Sequence, residues 1–127
     1  MAKITLGKRP QFIEATISAT LPDGTVGSIK ARYRYRTRTE FGQMIDQRMA
    51  EARTEAPAEP ADFSVATMQR QARDANAAYL LDILDGWDLS DEVNLETATQ
   101  LCDEFPGMAQ AVIDGYRLAA TEGRLGN

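Results

Sequence analysis

The chain has 127 residues, 43% hydrophobic and 26% charged, with a formal net charge of -5, no histidine and one cysteine. That length suits one domain with a real core, and the composition is that of a folded chain rather than a disordered one. Without histidine, zinc sites of the usual Cys/His type and Ser-His-Asp or Cys-His nucleophiles are excluded, and the lone Cys102 cannot close an internal disulfide.

Residues 3–6 (Lys-Ile-Thr-Leu) read as a short strand ended by Gly7 and Pro10. From Phe12 to Leu21 the odd positions Ile13, Ala15, Ile17, Ala19 and Leu21 are apolar and Glu14, Thr16, Ser18 and Thr20 are polar, the pattern of a half-buried strand. Pro22-Asp23-Gly24 then marks a hairpin, with glycine where a left-handed residue is needed. Parity selects the loop. Three loop residues put Ile17 opposite Ile29, Ala15 opposite Ala31 and Ile13 opposite Tyr33, whereas a fourth would set Ile17 against Lys30 and turn one strand over. The same register places Glu14 opposite Arg32.

After the hairpin the period becomes helical. Thr37 and Glu40 form a capping box, followed by Phe41, Met44, Ile45 and Met49 on one side, which predicts a helix over about residues 39–53. The prolines of Glu55–Ala61 predict a semi-rigid linker. A second helix should start near Asp62 or Ser64, carry Leu80, Ile83 and Leu84 inward and end at Gly86. Gly86–Val93 reads as a turn region. Asn94 caps a short helix that stops before Pro106, and Pro106 opens a last helix that Gly123 terminates, leaving Arg124–Asn127 as a polar tail.

The fold expected is α+β: an N-terminal antiparallel hairpin, with a third strand allowed, packed on about four helices. As a single domain over 1–127, it divides into the hairpin part (1–37), a helix (38–54), the linker (55–61) and a helical part (62–127). No apolar run reaches the roughly 20 residues needed to cross a bilayer, and Met-Ala-Lys-Ile-Thr-Leu-Gly lacks a signal-peptide core, so the expected location is the cytoplasm.

The most informative feature is an alternating row of cations, Lys30, Arg32, Arg34, Arg36 and Arg38, with Tyr33 and Tyr35 between them. On a strand all five would share one face, about 7 Å apart, and would require a partner, with Glu14 relieving one of them. Residues 1–39 carry eight cations against two carboxylates, and the remainder carries six against seventeen. Such polarity allows copies to associate head to tail, and the acidic majority disfavours a nucleic-acid partner. Strand alternation also turns the tyrosines away from the arginines and into the core, which argues against a base-stacking platform.

No phosphate-binding glycine loop, catalytic constellation or metal site is found, and no cofactor is expected. Asp85, Asp88, Asp91 and Glu92 do not have calcium-loop spacing and read as solvated helix-capping carboxylates. Trp87 lies just past a helix end, at the core rim or as an interface anchor, and Cys102 reads as a small buried hydrophobe.

Two stretches together carry a resemblance. Tyr33-Arg34-Tyr35-Arg36-Thr37-Arg38-Thr39-Glu40-Phe41, and the later block with Tyr79-Leu80, Asp85-Gly86-Trp87-Asp88-Leu89, Phe105-Pro106, Ala111-Val112-Ile113, Tyr116 and the closing Glu122-Gly123-Arg124-Leu125-Gly126-Asn127, resemble the tail assembly chaperones of long-tailed bacteriophages and prophages. The resemblance implies a non-enzymatic protein of the bacterial host cytoplasm that binds the tape-measure protein, keeps it soluble and helps deliver tail-tube protein. On that reading Lys30, Arg32, Arg34, Arg36, Arg38 and Trp87 are the candidate partner-binding residues. A nucleic-acid-binding regulator using the basic face and a structural tail component are the alternatives.

Overall fold

In the computed structural model, which describes residues 3–55 and 64–123, the alternating segments form β1 (Phe12–Thr20) and β2 (Val26–Arg34). They pair antiparallel in the expected register, with Ile13 opposite Tyr33, Ala15 opposite Ala31 and Ile17 opposite Ile29. Three residues close the loop: the Leu21 amide donates to the Thr25 carbonyl at 2.7 Å, and the Gly24 amide donates to Leu21 at 2.9 Å. Gly24 has φ +88°, a conformation costly for any residue with a Cβ. The Asp23 carboxylate accepts from the Thr25 hydroxyl at 2.6 Å and the Thr25 amide at 3.0 Å, and these bonds hold its pKa below the usual range.

Helix α1 (Arg38–Glu55) starts at the expected capping box, with the Glu40 amide donating to Thr37 Oγ1 at 3.2 Å and the Thr37 amide to Glu40 Oε1 at 2.9 Å. Its apolar side fades along its length: Phe41 and Met44 are buried, Ile45 is half-buried and Met49 is exposed. Ser64 caps α2 (Val65–Ile83), its Oγ accepting from the Thr67 amide. Asn94 caps α3 (Leu95–Glu104) with a reciprocal bond pair through Thr97, and Pro106 opens α4 (Pro106–Glu122), which ends at Gly123. Residues 56–61 of the expected linker and the expected tail Arg124–Asn127 lie outside the described residues.

Two expectations are corrected. Residues 3–6 form no strand: Ile4 and Leu6 are 88% and 94% exposed, so the alternation there has no apolar face to bury. The third strand is instead β3 (Leu84–Trp87), in the stretch expected to finish α2 and begin a turn. It pairs antiparallel with β2, setting Leu84 opposite Tyr33, Gly86 opposite Arg32 and Trp87 opposite Ala31, with an irregularity that leaves Asp85 as the extra residue. Leu84 is buried in this role as it would be in a helix, and the strand supplies partners to main-chain groups of β2 that would otherwise lack them.

The sheet order is β1-β2-β3. Its inner face, carrying Ile29, Ala31 and Tyr33, packs with Leu80, Ile83, Val112 and Tyr116 of the helices into one hydrophobic core. Helix α4 comes very close to the sheet: a Cβ on Gly115 would meet Ile17 Cδ1 at 2.9 Å and the Tyr33 hydroxyl at 3.0 Å. That approach lets the fully buried Tyr33 donate to the Val112 carbonyl at 2.7 Å, and its burial contributes about 2–3 kcal/mol. Cys102 is buried as expected, and burial pushes its thiol pKa up to about 11.

Candidate functional site

The outer face of the sheet carries the first part of the cation row. Lys30, Arg32 and Arg34 all project from β2 and are exposed. Two of them have carboxylates beside them. Lys30 Nζ lies 3.5 Å from Glu14 Oε2, and Arg32 Nε lies 3.3 Å from Asp85 Oδ2 while its guanidinium covers the Phe12 ring at 4.2 Å. Glu14 therefore relieves Lys30, diagonal to it, and leaves Arg32, its direct cross-strand neighbour, to Asp85. Asp88 also serves the sheet, since its Oδ1 accepts from the Lys30 amide at 2.9 Å. These pairs are exposed, so each contributes only about 0–1 kcal/mol and can be exchanged for a partner's carboxylate. Arg34 and Arg38 pair with no carboxylate among the described residues.

The second part of the row departs from the expected face. β2 ends at Arg34, and the Tyr35 amide makes a final rung to the Gln11 carbonyl at 3.0 Å. Arg36 then turns inward. Its Nη1 donates to the Asp82 carbonyl at 3.1 Å and to the Tyr116 hydroxyl at 3.0 Å, and that hydroxyl donates to the Arg34 carbonyl at 3.0 Å. Arg38 is the exposed first residue of α1 rather than a strand residue. The cause is local, because the capping box at Thr37 redirects the chain into a helix two residues after the last rung. Arg9 reinforces the corner with a fork onto both Glu40 oxygens at 2.7 and 3.2 Å. The Thr37 amide first, and Arg9 second, hold the Glu40 carboxyl below its ordinary pKa.

Trp87 is half-buried on β3, and its indole N–H donates to the Asp91 carbonyl at 2.5 Å. It stands between two shallow depressions. One, of about 270 Å³, includes Lys30, Arg32 and Asp85; the other, of about 150 Å³, includes Leu89, Leu101 and Phe105. Trp87 borders both depressions, but its pairing opposite buried Ala31 turns its ring toward the inner face, so the indole sits at the core rim while Lys30 and Arg32 project from the outer face.

Arg48 was not singled out by sequence reasoning. Its Nη1 reaches Asp82 Oδ2 at 2.8 Å, its Nη2 donates to the Ala75 carbonyl at 2.9 Å, and its guanidinium lies 4.8 Å from the Tyr79 ring centre. It spans a gap between α1 and α2, with grooves of about 590 and 770 Å³ beside it. A lone cation near Met44, Ile45 and Met49 was the available signal.

The outer face of β2 is an exposed surface of three cations, two of them loosely balanced by Glu14 and Asp85. No helix among the described residues is long and apolar enough to cross a membrane. No curated protein and no solved structure matches the chain. The family described as phage tail assembly chaperone matches it over residues 1–127. That match covers the sheet, all four helices and the cation row alike, and the chain therefore belongs to the phage tail assembly chaperone family.

Proposed function

We propose that this protein assists tail assembly by reversibly binding the tape-measure protein in the host cytoplasm, holding it soluble and helping to deliver tail-tube subunits, with no catalytic step. The observation that carries the reading is the family match over the whole chain. The sheet face supports a docking mode. Lys30, Arg32, Arg34 and Arg38, with Trp87 at the rim, meet acidic side chains of the client, whose carboxylates replace Glu14 and Asp85 as partners. Arg36 contributes from behind, by holding the end of β2 in place.

Co-expression with the tape-measure protein of the same phage tests the reading. Soluble tape-measure protein should co-purify with the wild-type chain, and Arg32→Glu/Arg34→Glu should reduce capture about tenfold, chiefly through slower association. Failure of the wild-type chain to solubilise the client would overturn the tape-measure reading. Full capture by the double variant would remove the cationic face from it. A gel-shift series on DNA and RNA across salt separates the nucleic-acid alternative, since phosphate binding must weaken steeply as salt rises.

A further inference from the structure

The two edges of the sheet are unlike each other. β3 is four residues long, irregular in register and carries Asp85, all features that discourage pairing with another chain. β1 is nine residues long, pairs regularly with β2 throughout, and contains no proline and no lysine; its one charge is Glu14.

The direction of its main-chain groups follows from two bonds. Leu21 donates to Thr25 and Tyr35 donates to Gln11, so the odd-numbered residues of β1 exchange hydrogen bonds with β2. β2 agrees, because the Lys30 amide and the Arg34 carbonyl, both even-numbered, face away from β1 toward Asp88 and Tyr116. The N–H and C=O groups of Phe12, Glu14, Thr16, Ser18 and Thr20 therefore point out from the open edge. Among the described residues none of these groups has a hydrogen-bond partner. Helix α4 packs mainly beneath β1, where Gly115 sits against both Ile17 and Tyr33, and its first turn at Gly107 comes near the Thr20 carbonyl, so the open stretch of the edge runs from Phe12 to Ser18.

We propose that β1 pairs antiparallel with β1 of a second copy of this chain, about a twofold axis at Thr16, to form a continuous six-stranded sheet. This register uses the open stretch about its middle: Thr16 faces the second copy's Thr16 and Glu14 faces its Ser18. On the inner face it sets Ala15 against Ile17 and Ile13 against Ala19, small against large, and extends the apolar layer that leaves these four half-buried in one copy. Centring the axis on Glu14 would oppose two carboxylates. The dimer would carry two cationic faces on one side, which gives the docking surface two-site binding; the pairing itself does not depend on that function.

Thr16→Glu separates the dimer from the fold. In the single copy the new carboxylate lies opposite Lys30 on β2, a favourable pair, whereas at the twofold axis it faces itself. Sedimentation equilibrium of the full chain should show a dimer in the micromolar range, and Thr16→Glu should weaken association about a hundredfold or more with an unchanged circular dichroism spectrum. Amide hydrogen exchange supplies an independent readout on wild-type protein. Exchange at Glu14, Thr16 and Ser18 should slow at least about tenfold on going from dilute to concentrated solution, while the amides of Ala15 and Ile17 stay protected throughout. A wild-type chain that remains monomeric at high concentration overturns the proposal, as does a dimer in which the three even-numbered amides still exchange freely.

Discussion

Lys30–Arg34 and Arg36–Arg38 are written in the same alternating pattern, yet the fold treats them differently. The first three cations stay on the solvent face of β2, where Glu14 and Asp85 balance two of them loosely. Two residues beyond the strand, Arg36 is drawn between β2, α2 and α4 and is bound at the Tyr116 hydroxyl. An alternating sequence specifies a face only while the main chain remains extended. The capping box at Thr37 ends that condition, and Arg36, just before it, becomes part of the structure while Arg38, just after it, returns to the surface on α1.

The contrast is open to direct tests. Arg36→Glu should be the most damaging, because it removes two hydrogen bonds and sets a carboxylate near Glu40 and Asp82; a loss of about 3 kcal/mol in urea unfolding is expected. If that variant unfolds like the wild type, Arg36 belongs with the outer cations after all. Tyr116→Phe removes the hydroxyl that joins Arg34 to Arg36 and should cost about 1–2 kcal/mol, with the end of β2 showing faster amide exchange. By contrast, Arg34→Glu should change stability by no more than about 0.5 kcal/mol while still weakening client capture, so equal losses from Arg34→Glu and Arg36→Glu would erase the distinction.

Smaller effects come from titration. The lowered Glu40 pKa stabilises the fold above the ordinary carboxylate range, and that contribution is lost as pH falls through the depressed value; Glu40→Gln should flatten the corresponding acid limb of the stability curve. At the alkaline end, Cys102 acts in the opposite direction. Its raised thiol pKa means the unfolded chain loses the proton first, so its contribution is complete below about 9 and disappears as pH rises toward about 11. Cys102→Ala should remove that slope, and a native thiol that reacts rapidly at pH 8 would contradict its burial.

Local chemistry made much of the molecule legible from its residues. The parity of two alternating strands around Pro22-Asp23-Gly24 determined the hairpin register, and Thr37, Ser64, Asn94 and Pro106 marked helix starts within a residue or so. Lys30, Arg32 and Arg34 were placed correctly on the outer face for the same reason. Leu84–Trp87 was not legible as a strand, because Ile83 and Leu84 satisfy a helix pattern equally well and the deciding partner, Tyr33, lies some fifty residues away. Arg48 was hidden for a similar reason: its anchors, Asp82 and Ala75, belong to another helix.

The sequence by itself therefore determined which segments are strands of the hairpin, where the helices begin, and that the N-terminal part is basic against an acidic remainder. Each of these depends on neighbours within a few residues or on a single short turn. Only the tertiary structure decided that β3 completes the sheet, that Arg36 is half-buried and hydrogen-bonded while Arg34 is exposed, and that Trp87 lies on the strand beside Lys30 and Arg32 with its ring toward the core. Those outcomes depend on main-chain groups and cavities that exist only once distant elements have packed, where an unpaired polar group or an unfilled space carries a cost that no local pattern records.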